Sequence, residues 1–165
     1  MGEPKAFLLT WTCYGTWLWG DERGSVDEGH NEWATPLLAT DAHRVAALQR
    51  RMTHLPYRLS KAARQIVKAT IENHCRLRGW DLLGVNVRSN HVHAVIGFAG
   101  IAPEVMVGEC KAWSTRSLRT RGLAAANQPV WTKHGSMRYL WKERELEPAL
   151  RYVLEGQDAD RFGDR

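Results

Sequence analysis

The chain has 165 residues, enough for one domain with a single core but not for two generous ones. Lys and Arg outnumber Asp and Glu by 23 to 18, and an isoelectric point near 9.4 suits either a polyanionic partner or a generic basic surface. Three widely spaced cysteines without a CxxC pair exclude a disulfide framework and a cysteine zinc cluster, and no apolar run approaches the roughly 20 residues of a membrane span.

Residues 1–5 (MGEPK) lack the hydrophobic segment of a secretion signal, so a cytoplasmic location is expected. Residues 6–12 (AFLLTWT) form a credible first strand, broken by the glycines of the following CYGTWLWG. A long connection without clear period follows, rich in Gly, Asp, Glu and Asn. Thr40-Asp41 can then cap a helix placing Val45, Leu48 and Met52 at helical spacing. Ser60 caps a second helix running through Arg78, with Ala63, Ile66, Val67, Thr70, Ile71 and Cys75 along one side and Gly79 at its end.

Leu82, Leu83, Val85 and Val87 precede a turn-like Arg88-Ser89-Asn90, and Val92, Ala94, Val95, Ile96 and Phe98 follow it, the pattern of a hairpin of two core strands. Alternation puts Val92, Ala94 and Ile96 on one face and His91, His93 and Val95 on the other. Two imidazoles side by side on a strand suggest a metal site, with both histidines exposed as ligands. The competing explanation for either ring is a half-buried side chain hydrogen-bonded to a neighbour.

Pro103 opens a helix reaching about Arg121, in which Lys111, Arg116, Arg119 and Arg121 favour the helix dipole and are also placed to meet phosphate. Several of the eight tryptophans interleave with cations, as in Lys111-Ala112-Trp113 and Trp131-Thr132-Lys133, a pairing that suits stacking on unpaired bases as well as ordinary burial. After a loop over 122–129 and a short stretch of uncertain type, a last strand is expected over 137–141. A final helix is expected over about 145–155, starting close to Glu147 because Pro148 fits only a first turn.

Apart from the inserted and final helices, this is the βαββαβ order of ferredoxin-like (RRM-like) folds. The expected class is α+β: an antiparallel sheet with helices on one face and an added C-terminal helix, its open face displaying His91 and His93. In the last helix Leu146, Ala149, Leu150 and Val153 make the apolar side and Tyr152 lies at its border, where a tyrosine commonly packs its ring and wets its hydroxyl.

The ordered strings FLLTWTCYGT, SNHVHAVI, KAWSTRSLR, VWTKHGSMRYLW and RYVLEGQ resemble the HUH single-tyrosine transposases, which include insertion-sequence and REP-associated tyrosine transposases. The resemblance covers most of the chain and implies a single domain over 1–165, with an inserted connection at about 17–58 that is longer than in compact members. It implies a nuclease acting on single-stranded or hairpin DNA with a divalent cation, Mg²⁺ or Mn²⁺, as a homodimer with active sites shared between subunits. Carried over to this sequence, His91 and His93 resemble the metal ligands and Tyr152 the nucleophile that takes a 5′-phosphate, with Tyr139 as the rival tyrosine. Members often carry a polar third ligand four residues after the tyrosine. Here that position is Gly156, and the nearest amide, Gln157, is rotated about 140° from Tyr152 in an unbroken helix. Gln157 contributes only if the helix ends or bulges at Gly156.

The expected activity is therefore that of a metal-dependent single-stranded DNA endonuclease and strand transferase. Lys111, Arg116, Arg119 and Lys133 are its candidate DNA contacts; solvated surface positions explain them equally well. The alternative is a non-catalytic protein that holds structured single-stranded nucleic acid on the same sheet and basic helices.

Overall fold

The computed structural model describes residues 2–16 and 41–155. Its elements run β1 (Ala6–Thr12), α1 (Ala42–Arg50), α2 (Lys61–Arg78), β2 (Leu82–Val87), β3 (His91–Gly97), α3 (Pro103–Thr120), β4 (Ser136–Leu140) and α4 (Glu143–Leu154). The four strands form one antiparallel sheet in the order β2-β3-β1-β4, the ferredoxin-like arrangement that the element order led one to expect.

The central strand explains its own sequence. Phe7, Leu9 and Trp11 point into a core built with Val92, Ala94 and Ile96 of β3, Ala63, Val67 and Ile71 of α2, and Met106, Cys110 and Leu118 of α3. Ala6 and Leu8 point the other way, into a smaller cluster with Val95, Leu140, Ala149 and Val153. A strand covered on both faces reads as a nearly continuous apolar run, which AFLLTWT is. Truncating fully buried Leu9 to Ala is expected to cost about 2–5 kcal/mol.

Local signals set the helix ends. Asp41 accepts from the Arg44 amide at 3.0 Å and Ser60 accepts from the Ala63 amide at 3.2 Å, each as an N-cap. Gly79 ends α2 at φ 71°, a left-handed conformation that costs glycine little.

The last helix departs from expectation. It begins at Glu143, earlier than 145–147, because Glu145 Oε2 accepts from the Trp141 and Lys142 amides at 2.7 Å each and satisfies donors that a helix start otherwise leaves open. Pro148 consequently lies inside the helix, beyond its first turn, and the Arg144 carbonyl loses an intrahelical donor. α4 also packs across the sheet face opposite α2 and α3. The face expected to be open is therefore partly covered, with Tyr152 of α4 packed on His93, and both histidines are buried rather than displayed: His91 is 2% exposed and His93 4%.

Candidate active site

Strand register assembles the site. Asn86 of β2, His93 of β3, Thr10 of β1 and Ser136 of β4 are successive cross-strand partners, so their side chains form one row on the α4 face of the sheet. His91 and Thr12 make the next pair along.

The two imidazoles meet edge to face with centroids 4.6 Å apart and planes inclined by 76°. Each is anchored through Nδ1: His93 lies 2.8 Å from Thr10 Oγ1, and His91 lies 2.6 Å from Asn90 Oδ1. With Nδ1 so engaged, Nε2 is the nitrogen through which either ring would ligate a cation, and an oriented imidazole is what a metal site requires. Among the described residues, no group of three His, Cys, Asp or Glu side chains gathers around a common point. Gln157, the expected third ligand, lies outside the described residues.

α4 brings Tyr152 to this pair. Leu146, Ala149, Leu150 and Val153 seat the helix on Ala6, Leu8, Val95 and Leu140, which leaves Tyr152 at the border with 41% exposure and its ring 5.2 Å from that of His93, inclined by 70°. Two features of β2 allow the close seating. Asn86 Nδ2 donates to the Val153 carbonyl at 2.9 Å, satisfying one of the acceptors that a helix end lacks a partner for. Gly84 gives the helix room, since a Cβ there would stand 2.9 Å from Leu150 Cδ2. The contact between Tyr152 and His93 forms within one chain.

Arg138 joins the site from β4. Its pairing with Leu8 puts it on the same sheet face, and its guanidinium is close enough to Tyr152 for their charges to interact. Burial lowers Arg138 from its ordinary value and the Tyr152 oxygen opposes that shift; a guanidinium remains charged regardless. Tyr139 is excluded from the group. It pairs with Phe7 and lies edge-on to that ring at 4.9 Å, on the face away from the histidines.

The candidate DNA contacts of α3 sit on the far side of the sheet from Tyr152, because Met106, Cys110 and Leu118 turn α3 toward the other core. Lys111 Nζ donates to the Thr132 and His134 carbonyls at 2.7 and 3.1 Å, bracing the loop before β4, and burial lowers it to about 8. Arg116 covers the Trp113 ring at 5.2 Å, Arg119 reaches the Gln128 carbonyl at 3.3 Å, and Lys133 is exposed. Gly108, Ala112 and Thr115 make the floor of a shallow cleft along which Lys111, Arg116 and Arg119 line up.

Asn86, Thr10 and Arg138 were not singled out from the sequence, although the hairpin register that placed His93 also places Asn86 opposite it. Asn90, which the sequence places in the hairpin turn, is 1% exposed and bonded to His91. Thr10 and Arg138 became visible only with the pairing of β1 to β3 and β4.

A model of the family described as Transposase IS200 like matches residues 38–144, more than half of the chain, a span that includes both histidines and Arg138 and stops before Tyr152. No curated protein matches the chain. Among solved structures, the chain is similar to a REP-associated tyrosine transposase bound to a REP hairpin, with a TM-score of 0.49 and 10% identity, over 92% of this chain and 66% of that one. The chain thus spans just under two thirds of the length of that protein.

Proposed function

The chain belongs to the IS200-like transposase family, and from that premise we propose that it is a metal-dependent single-stranded DNA endonuclease and strand transferase acting beside a DNA hairpin. One observation carries the assignment: a buried pair of anchored histidines with a half-exposed tyrosine packed against one of them.

Tyr152 is the proposed nucleophile. Its phenolic oxygen forms a bond to the scissile phosphorus, the bond from phosphorus to the 3′-oxygen breaks, and the phenol proton is balanced by the proton taken up at the departing 3′-oxygen. A 5′-phosphotyrosine results, and attack by another 3′-hydroxyl reverses the step and joins strands. Arg138, beside the tyrosine, holds a permanent positive charge where the phosphate must enter and offsets negative charge as the new bond forms.

His91 and His93 are the proposed cation ligands. Two imidazoles suit an ion whose remaining positions are filled by oxygen donors and water, as with Mg²⁺ or Mn²⁺, better than a closed structural zinc site. When bound, such an ion polarises the phosphate and neutralises its charge. Gln157 is proposed as a further ligand. Lys133, Arg116 and Arg119, with the cleft on α3, are proposed to contact DNA backbone away from the reacting phosphate, and Lys111 to hold the adjoining loop. A single domain with its connection over about 17–58, assembling as a homodimer, completes the proposal.

The test is a denaturing gel of the protein with hairpin-bearing single strands from its gene's flanks and Mn²⁺. A covalent adduct absent from Tyr152→Phe and His91→Ala supports the enzyme. Tight binding by the unaltered protein without adduct supports the non-catalytic binder.

A further inference from the structure

We propose that Asn90 is a positioning residue that fixes His91 as its Nδ1–H tautomer and so presents the lone pair of Nε2 as a cation ligand. This rests on the assignment of His91 to a cation site made above, and adds the group that makes the ring competent for it.

The chemistry of the contact decides the tautomer. Asn90 Oδ1 stands 2.6 Å from His91 Nδ1, and an amide oxygen only accepts, so the hydrogen between them belongs to the imidazole. A neutral imidazole carries one such hydrogen, which leaves Nε2 without one. Thr10 does not do the same for His93: its hydroxyl, 2.8 Å from Nδ1, donates or accepts equally well and fixes the ring's orientation but not its tautomer.

Asn90 is held in place independently of His91. Its carbonyl accepts from the Cys13 amide at 2.7 Å and from Thr16 Oγ1 at 3.3 Å, tying the hairpin turn to the end of β1. Its side-chain amide nitrogen is buried and finds no acceptor among the described residues. An apolar side chain of similar size would fill the space without that desolvation cost, so what an asparagine supplies here is its oxygen. The reverse amide orientation predicts the opposite outcome: Nδ2 would donate to Nδ1, and the ring's hydrogen would sit on Nε2, where it blocks ligation.

Two readouts on the full chain test this, with folding of each variant monitored by thermal melting. In cation-free ¹⁵N-labelled protein, long-range ¹H–¹⁵N spectra of the imidazoles, assigned with His91→Ala, report the tautomer directly. Mn²⁺ titration followed by electron paramagnetic resonance of the free ion reports affinity. Asn90→Asp keeps an acceptor-only oxygen and should retain the Nδ1–H pattern with Mn²⁺ affinity within a few-fold of the unaltered protein. Asn90→Leu should lose the pattern and bind Mn²⁺ about 10- to 100-fold more weakly. A His91 ring with its hydrogen on Nε2, or Asn90→Asp behaving as Asn90→Leu does, overturns the inference. An Nδ1–H ring in a protein that binds Mn²⁺ no better than His91→Ala overturns the cation site itself, and with it the purpose given to Asn90.

Discussion

The ring of Tyr152 meets the ring of His93 edge-on, with centroids 5.2 Å apart, and both belong to the same chain. The docking of one helix on one sheet thereby brings the proposed nucleophile beside a proposed cation ligand. If each chain serves its own site, mixing Tyr152→Phe with His91→Ala protein restores no adduct. Recovery of adduct in the mixture would establish the shared sites that the family resemblance led one to expect.

The seating of that helix depends on Asn86. Its side-chain amide donates to the Val153 carbonyl at 2.9 Å, one residue past Tyr152. Asn86→Ala should lower stability by about 1 kcal/mol. Loss of the tyrosine's placement should slow adduct formation by on the order of 10- to 100-fold, since small displacements of reacting groups are costly. Denaturant melts and single-turnover gels measure the two effects. A variant that loses stability but keeps the full rate would show that Asn86 does not position the nucleophile.

Lys111 gives a pH prediction. Burial lowers it from 10.5 to about 8 in the folded chain, so between these values the unfolded chain still holds a proton that the folded chain has released. Stability attributable to this group therefore rises with pH across that window and falls away as pH drops through 8. Subtracting the stability of Lys111→Met from that of the unaltered protein at each pH isolates the effect from the titration of tyrosines and cysteines. A difference that is flat or declines from pH 8 to 10 would contradict it.

All three cysteines are buried thiols. Burial pushes Cys13 up to about 12, and the Cys75 contact together with burial raises Cys110, so neither supplies thiolate near neutral pH. Native protein at pH 8 should resist alkylation at Cys13 and Cys110 for hours and label both completely in denaturant. Rapid native labelling of Cys13 or Cys110 would show that its burial is incomplete in solution.

Much of the site was legible because strands and caps are local. The alternation HVHAVIG assigned each side chain of β3 to the face it occupies, and Ser60 and Gly79 marked both ends of α2. What escaped depended on long-range docking. The packing of Tyr152 on His93 follows from α4 crossing the sheet, and the early start of α4 follows from Glu145 reaching back to two amides. The cations of α3 were visible as charges, but the side of the sheet they occupy is set by which face of α3 the core takes. Tyr152 and Tyr139 were ranked by helix phase and strand character; the register with Phe7 now separates them by a whole sheet.

The most direct measurement is to digest the protein–DNA adduct and locate the modified peptide by mass spectrometry. The nucleotide mass should sit on Tyr152 alone, and Tyr152→Phe should reduce adduct by at least about 1,000-fold while leaving DNA binding intact. Nucleotide mass on Tyr139, or undiminished adduct in Tyr152→Phe, would contradict the assignment of the nucleophile.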